Sequence, residues 1–238
     1  MHIPDGFIDA PVSIVAGAVA VAAVAVSLRG ARNEVTEASA PMAGLTAVFV
    51  FAAQMVNFPV AAGTSGHLIG AALAAILIGP YAAVLAMTVV LTVQALVFAD
   101  GGLSALGLNV VNLGVLAVVA GWFTFRGAMW LVDRWSDGAR RSVSRVGLAA
   151  GVAGFVSVLA AASGFIVEFV AGGNVPLTAQ TVAAAMLGVH ALIGVGEAVI
   201  TAMVVSAVVA VRPDLVYGLR VRRRVVAAAG QSDARIAV

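Results

Sequence analysis

Residues 178–211 read TAQTVAAAMLGVHALIGVGEAVITAMVVSAVVAV, a run with one carboxylate, one imidazole and neither Lys nor Arg. At about 1.5 Å per helical residue it is longer than a hydrocarbon core about 30 Å thick, so it crosses with tilt or protrudes. Its apolar residues follow one another without the alternation of a barrel strand. In lipid only a helix or a closed barrel satisfies its own backbone. The stretch reads as a membrane helix.

The same texture recurs at 11–28, 42–58, 66–79, 81–98, 107–125 and 146–170. Breaks fall at Pro41, at Pro59 through Gly66, at Gly79-Pro80, at Asp100-Gly101-Gly102 and at Gly172 through Pro176. The chain is 62% hydrophobic and 10% charged, against about 45–50% and about 25% in soluble domains. These features predict an all-α, polytopic membrane protein, a bundle of seven transmembrane helices. Residues 1–211 form one membrane domain, opened by a segment over 1–10, and 212–238 form a basic tail.

The sequence pI near 9.9 does not point to nucleic acid once the charges are located. All thirteen basic residues are Arg, in three clusters: Arg29 and Arg32; Arg126 through Arg145; and Arg212 through Arg235. Each follows an apolar block, as cytoplasmic flanks do under the positive-inside rule. With these clusters inside, alternation requires seven crossings, the N-terminus outside and the C-terminus cytoplasmic. The loops then left outside, 1–10, 59–65, 99–106 and 171–177, contain no Lys or Arg. The tail is also suited to touch anionic lipid. With no Cys there is no disulfide and no thiolate metal site. The N-terminus lacks the basic and apolar regions of a cleavable signal peptide, and no internal repeat marks an inverted-repeat carrier.

Two readings stand for the opening MHIPDGFIDA. One is a disordered external tail, the usual state of a terminus. The other is chemical. A deprotonated α-amine of Met1, the peptide nitrogen of His2 and the His2 imidazole form a contiguous chelate of three nitrogens, closing a five- and a six-membered ring. Such a planar donor set suits Ni(II) or Cu(II), and Co(II) with less geometric preference. One planar position stays open, and a second imidazole would fill it. His67 is the candidate, within Gly63-Thr64-Ser65-Gly66-His67 and on the same side as the N-terminus; Thr64 and Ser65 could orient it. The plainer alternative makes Thr64 or Ser65 a helix cap with His67 in the first turn, facing water. Met1 is expected to be retained, because initiator excision generally needs a small second residue.

The third imidazole, His190, lies seven residues before Glu197 and so on the same helix face. Ionisable groups at membrane depth mark either a functional path or a buried structural pair. Glu168, near the outer end of its span, carries less weight. Gln54, Asn57, Gln94, Asn109 and Asn112 are intramembrane polar residues, and Asp100 opens a loop among them. Each can be a ligand neighbour or simply an interhelical hydrogen bond.

Together these residues resemble a known family. Met-His-Ile-Pro-Asp-Gly at 1–6, Phe58-Pro59-Val60 leading into Gly63–His67, Gln94-Ala95-Leu96 leading into Asp100-Gly101-Gly102, Asn109 with Asn112, and His190 through Gly196-Glu197-Ala198 are similar to motifs of the CbiM/NikM family. These are the substrate-capture membrane components of energy-coupling-factor cobalt and nickel transporters of the prokaryotic cell membrane. The resemblance implies a seven-helix fold with an inserted N-terminus and ligation of Ni(II) or Co(II) by Met1, His2 and His67. It implies a transmembrane coupling subunit, cytoplasmic ATPase subunits and often a small accessory membrane subunit, with no organic cofactor. No G-x-x-x-x-G-K-[ST] loop is present, so ATP hydrolysis is expected elsewhere and the chain is not expected to be an enzyme. The competing reading is a proton- or ion-coupled secondary carrier using His190 and Glu197. A hydrolase has no H-E-x-x-H motif to support it.

Overall fold

The computed structural model describes residues 1–60, 65–134 and 142–220. Thr64, Arg140, Arg141 and the tail beyond Arg220 lie outside the described residues. Among those described the chain is helical: α1 (Ala10–Gly30), α2 (Ala40–Gln54), α3 (Ala71–Ile78), α4 (Pro80–Val97), α5 (Leu106–Arg134), α6 (Val143–Gly172) and α7 (Ala179–Val211). A two-residue ribbon, β1 (Phe58–Pro59) against β2 (Ser65–Gly66), bridges α2 and α3.

Local sequence sets the ends of these helices. Asp9 caps α1 by accepting from the Val12 N–H at 3.0 Å, with Pro11 in the first turn. Ser142 and Thr178 cap α6 and α7 in the same way. Pro41 and Pro80 sit in the first turns of α2 and α4, where a missing N–H costs nothing.

Five of the helices, α1, α4, α5, α6 and α7, are long and apolar enough to cross a membrane, and α2 is a shorter apolar helix of 15 residues. The expected span at 66–79 takes a different form. Only Ala71–Ile78 is helical, about 12 Å at 1.5 Å per residue, which is too short to cross. All eight residues are buried, so α3 is a half-helix enclosed by the bundle. Lipid-depth backbone that is not helical is tolerated where protein surrounds it, and residues 66–70 meet that condition. The left-handed Gly70 (φ +76°) turns the incoming loop into α3, with Val50 packed where a side chain would stand.

The long antiparallel pair α6 and α7 closes through small residues. A Cβ on Gly151 would lie 2.9 Å from the Ala198 carbonyl oxygen, and one on Gly154 would lie 3.1 Å from the Thr201 hydroxyl. Without a hydrophobic drive between helices in lipid, such close backbone approach is what holds them. Within α5, Val110–Leu116 winds as a π-helix. Segments of this kind break regular side-chain spacing, and they occur often at functional sites.

Candidate metal centre

The N-terminal segment is not a tail. Met1, His2, Ile3, Phe7 and Ile8 are all buried, Met1 at 1% exposure. The segment enters beside the end of α6, where Ile8 bridges Gly173 and the Asp9 N–H donates to the Gly172 carbonyl at 2.7 Å. Phe7 packs against both Phe165 and Phe169, with ring centroids 5.6 Å from each. Deeper in, the Asn109 side-chain amide stands in for a neighbouring strand: its Oδ1 accepts the Ile3 N–H at 2.8 Å and its Nδ2 donates to the Ile3 carbonyl. Gly102 N–H donates to the same carbonyl at 2.9 Å. Asp5 accepts from the backbone and hydroxyl of Ser104 at 2.8 and 2.6 Å, bonds that hold its carboxyl below the ordinary range.

Gly102 must be glycine for reasons of space. A Cβ there would overlap the backbone of Asp5. Gly102→Ala is expected to push the segment outward at an overpacking cost of about 1–3 kcal/mol. A roughly tenfold or greater loss of ion affinity by calorimetry should accompany it; unchanged affinity would show that the docked segment does not set the site.

His2 and His67 meet. Their rings stack with centroids 4.5 Å apart and planes 27° from parallel. His67 is 1% exposed, and Ser65 lies in the ribbon, with Gly70 rather than Ser65 at the start of α3. The water-facing helix-cap arrangement for His67 is therefore not the one adopted. The His2 Nδ1–H donates to Asp100 Oδ1 at 2.9 Å, and Asn57 Nδ2 donates to Asp100 Oδ2 at 3.0 Å. Ala99, in the left-handed region at φ +52°, ends α4, and the Asp100 N–H returns to the Gln94 carbonyl at 3.0 Å. This left-handed termination aims Asp100 at His2.

Burial governs protonation here. It lowers the Met1 amine well below its usual 8.0, although the charge of Asp100 opposes the shift. It also lowers His2 from 6.5, against the opposing hydrogen bond to Asp100. For Asp100 burial acts to raise the carboxyl, but the His2 hydrogen bond and charge prevail and hold it low. The centre is thus a neutral amine and neutral imidazoles beside an ionised carboxylate.

Several buried polar atoms in this region have no hydrogen-bond partner: His2 Nε2, His67 Nε2, Ser65 Oγ and both amide atoms of Gln94. Buried polar groups are nearly always paired, so such a concentration is what a site prepared for a polar ligand looks like. Above it a recess of about 220 Å³ is lined by His2, Asp5, Ser65, Asp100 and the adjoining backbone. Among the described residues no three His, Cys, Asp or Glu side chains cluster as metal ligands do. An ion held here would have to draw on main-chain nitrogen as well as imidazole. A six-membered ring through the His2 peptide nitrogen closes on Nδ1, the atom that Asp100 holds. Loading would exchange that hydrogen bond for a metal bond.

The remaining predicted residues are placed elsewhere. Asn112 Nδ2 donates to Glu168 Oε2 at 2.5 Å, away from His2, which gives Glu168 a defined partner that its position in the sequence did not suggest. Glu197 accepts the Ile69 and Gly70 N–H groups at 2.9 and 2.7 Å, while Gln54 Nε2 donates to the Ile69 carbonyl at 2.7 Å. These two side chains anchor the loop that carries His67. His190 Nδ1–H donates to the Met186 carbonyl, so His190 and Glu197 share a helix face without pairing. Sequence reasoning missed Asp5 and Phe7 as anchors; Asp5-Gly6 is a turn signature, which hid the reach of Asp5 to Ser104.

The profile described as the cobalt uptake substrate-specific transmembrane region, CbiM, matches residues 2–215. The chain belongs to the CbiM family. The cobalt transport protein CbiM of Sorangium cellulosum is 34% identical, over 94% of this chain and 97% of its own length. A fused nickel transport protein, NikMN, of Rhodobacter capsulatus is 37% identical over 71% of this chain, which spans 47% of that longer protein. The crystal structure of a truncated transition metal transporter superposes with a TM-score of 0.72 at 30% identity, covering 86% of this chain and 96% of that one. As a CbiM family member the chain is a membrane component of cobalt or nickel transport.

Proposed function

We propose that this CbiM family chain captures Ni(II) or Co(II) with high affinity from outside the cell, as the substrate-binding component of an ATP-driven energy-coupling-factor importer. The observation that carries this reading is the inserted N-terminus, which brings a buried, neutral Met1 amine and His2 against His67 beneath an acidic recess. In this reading the Met1 amine, the His2 peptide nitrogen, His2 Nδ1 and His67 Nε2 form the planar set. Asp100, Asn57, Asn109 and Gln94 position the ligands, and Ser65 lines the way in. In this reading the non-helical residues 66–70 and the half-helix α3 together make one crossing, so that the chain spans the cell membrane seven times with its N-terminus outside. A transmembrane coupling subunit, cytoplasmic ATPase subunits and a small accessory membrane subunit complete the transporter.

Titrating the purified chain with Ni(II) tests the donor set. Expected is the visible band of a planar, diamagnetic four-nitrogen complex; a six-coordinate paramagnetic spectrum would refute it. A secondary carrier would instead move the ion in proteoliposomes of the chain alone under a pH gradient.

Acidity should weaken capture in a defined way. With the Met1 amine and His2 held below their usual values, the docked ligands are neutral; the His2 hydrogen shifts from Nδ1 to Nε2 on loading, and the peptide nitrogen supplies the one proton released. Affinity should rise about tenfold per pH unit near neutrality, one proton leaving per ion. A free Met-His terminus, whose amine titrates at about 7.7–8.0, would release nearly two at pH 7. The sign for docking follows. As pH falls below the free amine's value of about 8, the undocked terminus gains a proton that the docked one refuses. Docking is therefore strongest above that pH and weakens down to the depressed folded value. Proton release of two per ion at pH 7 would contradict a neutral buried amine.

A further inference from the structure

Helices α1 and α4 pack side by side in opposite directions, and a carboxylate fastens the pair at each end. At the outer end Asp100, just past α4, accepts at 2.9 Å from His2, in the segment that leads into α1. At the inner end Glu34, four residues past α1, accepts the Ala82 N–H at 2.8 Å. The first bond belongs to the metal centre. The second lies beside Arg29 and Arg32, at the opposite face.

The sequence of α4 makes the inner bond necessary. The helix opens on Gly79-Pro80, so its cap position has no side chain and its first residue has no N–H. The Ala82 N–H, in the first turn, has no partner within the helix and needs an acceptor from elsewhere. Glu34 supplies it and is 3% exposed. The fit is close. Gly79 stands at φ +102°, where a Cβ would lie 2.6 Å from the Glu34 carboxyl carbon, and a Cβ on Gly30 would overlap the Tyr81 ring.

Between its two fastenings α4 has 18 residues, about 27 Å at 1.5 Å per residue. A helix is a rigid element, so a displacement at its first turn is carried to its last. The residues that α1 buries, Ala16, Ala20 and Ser27, are small. They offer little to key α1 lengthwise against its neighbours, which leaves the ends to set the register.

We propose that Glu34 is a positioning residue for ion capture: from the inner face it fixes α4 along α1, and through α4 it keeps Asp100 beside His2. Without the bond to Ala82, α4 shifts along α1 and takes the Asp100 carboxylate away from the ion. Gln54 of α2 and Glu197 of α7 still hold the His67 loop, so the loss is partial. A force applied at Glu34 thus weakens the site from the other side of the membrane. The proposal rests on the reading that Met1, His2 and His67 hold the ion.

A double-mutant cycle tests it, read by calorimetry with Ni(II) on the purified full chain. Asp100→Ala is expected to lose at least about tenfold in affinity, as removal of a group that orients a metal ligand does. Glu34→Ala should lose about tenfold. Changes this far apart ordinarily add. Here Glu34→Ala in the Asp100→Ala chain should cost less than about a further twofold, because the carboxylate it positions is already gone. Gly79→Ala, which presses on the Glu34 carboxyl, should show the same dependence on Asp100. The rate at which bound Ni(II) leaves counts only chains that hold an ion, so the same cycle in that rate reads the coupling even where a variant partly unfolds. Additive losses, or unchanged affinity and release in Glu34→Ala, overturn the proposal. Undiminished affinity in His2→Ala refutes instead the outer chelate on which it stands.

Discussion

A chain with one residue added before Met1 is expected to lose about a thousandfold in ion affinity, or about 4 kcal/mol. Two causes act together. The addition turns the α-amine into a peptide nitrogen, which must shed a proton to bind, whereas the buried amine is already held neutral. It also needs room that Met1, at 1% exposure, does not have. The added residue would have to pull Ile3 from its two bonds with Asn109 and its bond with Gly102. Calorimetry with Ni(II) and Co(II) reads the loss, and the same residue appended after Val238 serves as the control. Equal affinity in the two extended chains would remove the α-amine from the ligand set and, with it, the proposed mode of capture.

The second large effect is expected at Glu197, which is outside the proposed ligand set. Its two oxygens accept the adjacent Ile69 and Gly70 N–H groups in a wholly buried place. Glutamine offers one acceptor and turns an amide N–H₂ toward the other donor. Glu197→Gln should therefore cost about 1.5–3 kcal/mol of stability, the range for a lost hydrogen bond to a charged group. The loop from His67 to Gly70 then hangs on Gln54 and a single bond from residue 197. Ion affinity should fall about tenfold as His67 loses its fixed position. Adding Gln54→Leu should deepen the loss by more than the sum of the single changes, because both side chains hold one peptide unit. Additive effects, or full affinity in Glu197→Gln, would show that His67 is positioned by its own packing.

The sequence made parts of this legible for identifiable reasons. Long apolar runs identify lipid-crossing helices because lipid leaves the backbone no other satisfaction, and α6 and α7 lie near the expected 146–170 and 178–211. Met1 and His2 stood out because their chemistry depends on adjacency, which a sequence displays directly. The meeting of His2 with His67 could be argued only from sidedness. Its cause, an inserted segment held by Asn109, Gly102 and Ser104, depends on contacts about a hundred residues apart in the chain. The π-helix in α5 was invisible, since apolar periodicity cannot register one residue of extra winding among Val and Leu. Asn112 and Glu168 therefore gave no sign of pairing. The half-helix α3 was hidden similarly: Gly66–Gly79 is apolar enough to resemble a span, and only the left-handed turn at Gly70 shortens it.

That half-helix has a consequence for leakage. Ala71–Ile78 stands in the middle of the bundle with every residue buried, and its neighbours close on it from α2, α4, α5 and α6. Among the described residues it plugs the centre of the bundle. A chain built this way is a stopper as much as a binder: proteoliposomes holding it alone should keep a proton gradient. In the proposed importer, cargo crosses only when the coupling subunit does mechanical work on the bundle.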